Sequence, residues 1–389
     1  MDQYENIICQ ELGGVGCLTL NSERTLNSLT VAMINEIHAV LTKWKADPRI
    51  FCVFLQGAGE KAFCAGGDVR KLSERILSFN STTPKNMAPD KVAVNTLAPA
   101  SLEFFVDEYS LDYEVHRYPK PIVAWLDAIT MGGGIGLTNG ASHRVVTERS
   151  KLAMPEITIG LYPDVGGTWF LNKIPDGIGL FVGLTGARLN SADSLFAGLS
   201  DFCVDSLSKD KILAQLQSVA WRSDPNYNHR EITAILEAAA KEQKLLSSNI
   251  EKHKEFLSAL GKANSVGEFK EQLLSYPGRD EWIEAATKTF EAGSPSSSRI
   301  ILEQLRRGKD LDLEGVFRSE LNLSCQCTIH PDFVEGVRAL LIDKDQSPRW
   351  QPPTLEEVTD EWVAGYFAHL WNENEHPLRD LATFSKVRQ

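Results

Sequence analysis

Two apolar runs in the first third of the chain each open into a cluster of glycines, and that pairing restricts the fold more than any other feature. The run IFCVFLQGAGE leads into Lys61-Ala-Phe-Cys-Ala-Gly-Gly-Asp68, and the run IVAWLDAIT leads into Met131-Gly-Gly-Gly-Ile-Gly136. FCVFLQ reads as a buried strand, as does IVAWLD. Glycines at the end of such a strand permit backbone conformations closed to other residues and let a ligand approach the main chain. One N–H from each loop could then converge on a single oxygen. Tight turns alone would use the same residues, and for either cluster taken singly both readings stay open.

Around these runs the first 200 residues alternate strands and helices. IICQE and VGCLTLN read as strands, and Val31, Ile34, Ile37, Leu41 and Trp44 recur at helical spacing in a segment from about Leu29 to Trp44. A further helix is expected from Ala100 to His116, ended by YPKP. Strand, strand, helix in repetition predicts an α/β architecture with its loops gathered at one side. From about Asp201 the texture changes to charged helical segments, DKILAQLQSVAW, HREITAILEAAAKEQKLL and EKHKEFLSALGK. Residues 1–200 are therefore expected to form the α/β core and residues 201–389 a mainly helical region. Gly293 to Ser298 (GSPSSS) reads as a short turn or linker between helices.

Composition removes several classes of function. The 52 acidic residues outweigh the 40 basic ones, giving a net charge of -12, which works against attraction to nucleic acid or an anionic membrane. No apolar run approaches the roughly 18 residues of a membrane span. The start lacks a basic segment followed by an apolar one, and the terminal KVRQ is not an SKL-type signal, so a cytoplasmic location is expected. The 7 cysteines form no disulfide framework, and Cys325 and Cys327 lack the spacing of a metal site. The histidines show no ligand spacing and read as structural or solvated.

A nucleotide reading of Gly134-x-Gly136 fails because Asn139 stands where a third glycine is required. GxxxxGK[ST], GxSxG and HExxH do not occur, which withdraws the motif support for P-loop ATPases, serine hydrolases and zincins. A third element remains, Met154-Pro-Glu156-Ile-Thr-Ile-Gly-Leu-Tyr-Pro-Asp164-Val-Gly-Gly-Thr. Its two carboxylates lie among apolar residues and turn-forming Pro and Gly, a setting in which paired acids divide into a base and a partner of different pKa. The bland alternative has Asp164 capping a helix that begins at Val165 and Glu156 solvated.

Taken in order, the three elements resemble the crotonase (enoyl-CoA hydratase/isomerase) superfamily. LNSLTVAMINEIHAVLTKWKADP, KAFCAGGDVR, ITMGGGIGL, AMPEITIGLYPDVGGTWFL and LTGARLNSADSLFAGL more closely resemble its 3-hydroxyisobutyryl-CoA hydrolase branch. The likeness is dense from about Leu20 to Gly198, resumes in EGVRALLIDKDQSPRWQPPTLEEVT, and is looser between. It implies a ββα superhelix with a helical C-terminal region. It also implies hydrolysis of a short branched hydroxyacyl-CoA thioester, as in valine catabolism, with the acyl-CoA as small-molecule partner, a possible homo-oligomer, and no cofactor beyond the CoA of the substrate.

The resemblance assigns roles residue by residue. Gly67 and Gly133 supply the two oxyanion-hole amides, and Glu156 is the catalytic carboxylate. Asp164 and Glu108 line the acyl pocket, where they bind the substrate hydroxyl or place the water. Ala65, Gly67, Asp68 and Arg70 fall at the CoA site, Arg70 near the phosphates. Hydratases of the superfamily resemble GGGxE at the second cluster, whereas this chain has Gly136 there, and it has Asp164 where hydratases usually have glycine. Both departures favour hydrolysis over hydration. A hydratase or isomerase on the same fold, or a non-catalytic CoA-binding protein, are the alternatives.

Overall fold

The computed structural model describes residues 4–82 and 96–382; the first three residues and the KVRQ terminus, on which the reading of location drew, lie outside the described residues. The strands among them are β1 (Ile7–Leu12), β2 (Val15–Leu20), β3 (Cys52–Gly57), β4 (Ala62–Cys64), β5 (Ile122–Leu126), β6 (Ile129–Met131), β7 (His143–Thr147), β8 (Lys151–Ala153) and β9 (Phe202–Val204). They form a large sheet, β1-β2-β3-β5-β7-β9, and a small one, β4-β6-β8. β1 and β2 are antiparallel, and from β2 onward the large sheet is parallel.

Four helices complete the N-terminal pattern: α1 (Val31–Ala46), α2 (Val69–Thr82), α3 (Pro99–His116) and α4 (Gly133–Asn139). The chain runs β3-β4-α2, then β5-β6-α4, then β7-β8, placing the first strand of each pair in the large sheet and the second in the small one. This is the ββα spiral expected from the sequence. After β9 every described element is helical.

The chain divides into two compact units, each gathered from separate stretches on both sides of residue 200. The first unit comprises residues 1–67, 111–152 and 189–252 and holds the large sheet. Period-two alternation puts Val15 and Cys17, Cys52 and Phe54, and Val123 and Trp125 on one face, where they pack against Ile212 and Leu216 and against Ile232 and Leu236. Those two pairs, each spaced by one helical turn, come from helices Lys209–Gln217 and Pro225–Ala240. Part of the charged helical texture after Asp201 is thus the cover of the N-terminal sheet. α1 begins at its cap Thr30, whose side chain accepts from the Met33 N–H at 3.1 Å.

The second unit comprises residues 68–110, 153–188 and 253–389. Its helix Leu313–Ile329 is buried without interruption from Glu320 to Thr328, so it is enclosed on every side and each polar side chain along it needs a partner. Asn322 accepts from the Leu370 N–H and donates to the Ala368 carbonyl; Glu320 and Ser324 find theirs at the candidate site. One local expectation is corrected here. GSPSSS is no linker: Ser294 caps helix Pro295–Arg307, its hydroxyl accepting from the Ser297 N–H at 3.0 Å, and the serines after Pro295 are its buried first turn. EKHKEFLSALGK is helical as expected, in two pieces, Asn249–Lys252 and Lys254–Leu260, that break at His253. The His253 ring is buried and bonded to Tyr276 and Asp280.

Candidate active site

The two glycine loops meet within the first unit. β4 and β6 are parallel neighbours, with Ala62 opposite Ile129 and Cys64 opposite Thr130, so the loops leave the small sheet side by side. Gly66 has φ +103, and a Cβ there would stand 3.2 Å from the Met131 carbonyl oxygen and 3.5 Å from the Gly133 nitrogen. At Gly134 a Cβ would lie 2.6 Å from the Cys64 carbonyl oxygen. The glycines are therefore required by close approach of one loop to the other, beyond any demand of a tight turn.

The first loop is held from behind by a turn. The Ala65 N–H donates to the Leu26 carbonyl at 3.0 Å and the Leu29 N–H to the Gly66 carbonyl at 2.9 Å. Leu29 and Gly67 form a parallel bridge. In such a bridge Leu29 bonds to the residues flanking Gly67, which leaves the Gly67 amide directed away from Leu29. Gly133 opens α4, and first-turn amides have no partner within their helix. Asn27, buried with φ +56, ties this region together, donating to the Ala58 and Ala62 carbonyls and accepting from the Ser22 N–H. Asn27 lies in the LNSLT segment, but only its burial identifies it as the anchor.

The three acids come together in the second unit. Glu108 lies on the part of α3 that belongs to this unit, Glu156 opens the 3-10 turn Glu156–Ile159, and Asp164 precedes a sharp turn. All are buried. Burial, reinforced by the Asp164 charge, holds the Glu108 and Glu156 carboxyls well above the usual carboxylate range. Burial also raises Asp164, but the Tyr109 hydroxyl donates to its Oδ2 at 2.6 Å and limits the rise to about 6. Glu108 Oε1 and Glu156 Oε2 are buried without a hydrogen-bond partner among the described residues. Charge on Asp164 therefore makes ionisation of both glutamates harder.

The alternative of a solvated Glu156 and a capping Asp164 does not hold. Glu156 is 6% exposed. The helix after Asp164 begins at Gly167, and Asp164 receives the Gly167 N–H at 2.7 Å on its backbone carbonyl. Between them Val165 has φ +54 and Gly166 φ +83. For a β-branched residue this costs of order 1–3 kcal/mol. Glu320 offsets the strain, its Oε2 accepting from the Gly166 N–H at 2.7 Å and its Oε1 from the Thr168 N–H at 2.8 Å.

Beside this turn lies a set of hydroxyls that sequence reasoning missed. The Tyr109 hydroxyl meets Ser324 Oγ at 2.7 Å, and Tyr162 meets the same Oγ at 2.9 Å while donating to the Glu320 carbonyl at 2.9 Å. The sequence carried no signal for them, because Glu320 and Ser324 stand in EGVFRSELNLS among Glu314, Arg318, Ser319 and Asn322. The residues assigned to the CoA site divide. Ala65 and Gly67 belong to the glycine loop, whereas Asp68 and Arg70 stand at the start of α2. There Asp68 Oδ1 accepts from the Lys71 N–H at 3.1 Å, and exposed Arg70 faces Glu74 at 3.4 Å, a pairing too loose and wet to compete strongly with a phosphate.

The buried acids make stability depend on pH. Asp164 and Asp332 are raised to about 6 and Glu320 to about 8, burial being the first cause in each. A carboxyl whose folded pKa exceeds its unfolded value binds more protons when folded, so stability is full below the unfolded value and lost as pH rises through the folded one. Urea unfolding should show a midpoint that falls from pH 5 to pH 8. Asp164 alone contributes about 1.4 kcal/mol to that loss, because at about 1.4 kcal/mol per pH unit only the interval from pH 5 to about 6 falls within its window. A midpoint rising over this range would contradict the assigned burial.

A parallel-stranded ββα spiral with paired glycine loops and a buried carboxylate cluster defines a class. The chain belongs to the enoyl-CoA hydratase/isomerase (crotonase) family, whose model matches residues 15–367. Within it, the chain is 38% identical over 376 residues to 3-hydroxyisobutyryl-CoA hydrolase, mitochondrial, of Gallus gallus, spanning 96% of this chain and 91% of the relative. It is 39% identical to the Homo sapiens protein of that name, spanning 95% and 90%. A carnitinyl-CoA dehydratase from Mycobacterium thermoresistibile superposes with a TM-score of 0.81 at 32% identity, covering 95% of this chain and 100% of that one. An enoyl-CoA hydratase from Rhodobacter sphaeroides 2.4.1 gives 0.79 at 31%, covering 94% and 98%. The names of the curated relatives place them in mitochondria, so the expected cytoplasmic location finds no support. Among the described residues no helix is long and apolar enough to cross a membrane.

Proposed function

We propose that the chain hydrolyses 3-hydroxyisobutyryl-CoA to 3-hydroxyisobutyrate and CoA. The observation that carries this reading is the buried Glu156 Oε2, without a hydrogen-bond partner among the described residues, in a cluster with Asp164. Curated relatives of that name at 38–39% identity support it. In the proposed reaction the amides of Gly67 and Gly133 receive the thioester oxygen as negative charge gathers on it. Each such donor is typically worth about 2.7–4 kcal/mol in the transition state.

Glu156, once ionised, takes a proton from water as the new C–O bond forms; collapse of the tetrahedral intermediate breaks the C–S bond, and the CoA sulfur leaves and is protonated. Direct attack by the carboxylate, giving a mixed anhydride that water opens, uses the same atoms. A pKa lifted by burial makes the ionised carboxylate a stronger base. Asp164 and Glu108 hold the 3-hydroxyl and the water, and Arg70 and Asp68, with the Ala65 loop, serve the CoA portion. A thioester is already activated, so the reaction as proposed uses no metal or redox group.

Hydration of an enoyl-CoA is the second reading, favoured by the descriptions of the two superposed structures and opposed by Gly136. A panel of acyl-CoA esters with thiol detection separates the two. Rapid thiol release from 3-hydroxyisobutyryl-CoA, with crotonyl-CoA left intact, is the expected result; hydration of crotonyl-CoA without thiol release would overturn it.

A further inference from the structure

Among the described residues Asp164 has a hydroxyl partner in Tyr109, whose oxygen in turn meets Ser324, and the three come from distant parts of the chain. Tyr109 is fully buried on α3, 55 residues before Asp164, and Ser324 is buried on the enclosed helix Leu313–Ile329. A phenol has one proton. With that of Tyr109 committed to Asp164 Oδ2 and that of Tyr162 to the Glu320 carbonyl, the single Ser324 proton is shared between its contacts to Tyr109 at 2.7 Å and Tyr162 at 2.9 Å. Ser324 thus fixes the phenol by contact with its oxygen, and the phenol holds the carboxylate. Tyr109 is further fixed by the rings of Phe105 at 5.7 Å and Phe317 at 5.9 Å. The turn that carries Asp164 is pinned separately by Glu320, so position and charge of the carboxylate have distinct supports.

We propose that Tyr109 and Ser324 are positioning residues that keep Asp164 an oriented anion with one oxygen committed inward, leaving the other to accept the 3-hydroxyl of the acyl group. They thereby determine the preference for hydroxylated over plain branched acyl thioesters. This rests on the role given above to Asp164, and it adds the two residues that make the role possible. Neither touches the reacting atoms.

The test compares kcat/KM for 3-hydroxyisobutyryl-CoA and isobutyryl-CoA, which differ only in the hydroxyl, across the pH range in wild type, Asp164→Asn, Tyr109→Phe and Ser324→Ala. Tyr109→Phe should lower the hydroxylated-to-plain ratio about 10-fold, the order expected for a hydrogen bond to a charged group. It should also move the acidic limb of the profile to higher pH, because an anion deprived of a donor holds its proton longer. Ser324→Ala should shift both in the same direction by less. A purely structural role would lower both substrates equally and leave the limb in place. Wild-type ratio and limb in folded Tyr109→Phe, with the ratio lost in Asp164→Asn, would overturn this inference and leave the role of Asp164 intact. Should Asp164→Asn itself keep the ratio, that role fails and the inference with it. An unchanged Ser324→Ala would remove Ser324 alone.

Discussion

Glu156→Gln should lower turnover of 3-hydroxyisobutyryl-CoA by about 10²–10⁴-fold, the range for loss of a positioned general base, while CoA-ester affinity stays within a few-fold. Glutamine keeps the shape and the carbonyl acceptor but can neither take a proton from water nor form an anhydride, so both proposed routes are closed. The substitution should not unfold the protein. Glu156 is held above its ordinary range by burial and by the Asp164 and Glu108 charges, so its ionisation opposes folding at neutral pH and an uncharged isostere removes that opposition. Urea unfolding of the variant should be at least as resistant as wild type at pH 8. Thiol release under single-turnover conditions, alongside equilibrium binding of a non-hydrolysable CoA thioether, provides the check. Wild-type turnover in the folded variant would remove Glu156 from the mechanism.

Gly134→Ala should be nearly as damaging, with kcat lowered by about 10²–10³-fold, the cost of one oxyanion donor. Alanine favours a helix over glycine by about 1 kcal/mol, so within α4 alone the change would be stabilising. The tertiary contact opposes it: the new Cβ would meet the Cys64 carbonyl oxygen at 2.6 Å and the Cys64 Cβ at 2.9 Å. Both belong to the strand that carries the other glycine loop, and backbone cannot swing aside as a flexible side chain can. The loops must separate, and the two amides proposed to share one oxygen lose their spacing. Affinity for the CoA ester should change far less than kcat, because the donors act mainly on charge that develops in the transition state. Equal losses of affinity and turnover would mean that the loop serves binding instead.

The glycine loops announced themselves through the apolar runs before them, and α1 through the spacing of Val31, Ile34, Ile37, Leu41 and Trp44. The three acids were found by their place in recognisable segments. The correction at Gly293–Ser298 is of another kind: Ser and Pro favour both a turn and the first turn of a helix, and only the cap at Ser294 separates the two.

Local sterics and the alternation of apolar and polar residues are properties of neighbouring positions, and so β1, β2, β3 and β5, the alternation of strands with helices, and the helical texture after Asp201 were determined by the sequence by itself, whereas the three-residue strands of the small sheet are too short to show a pattern. The division of charge among Glu108, Glu156 and Asp164 was decided only by tertiary structure. It depends on a phenol 55 residues from Asp164 and a serine 215 residues from that phenol, and on burial that no short segment contains. A carboxyl's proton affinity is set by the dielectric and the donors around it, and chain folding supplies both.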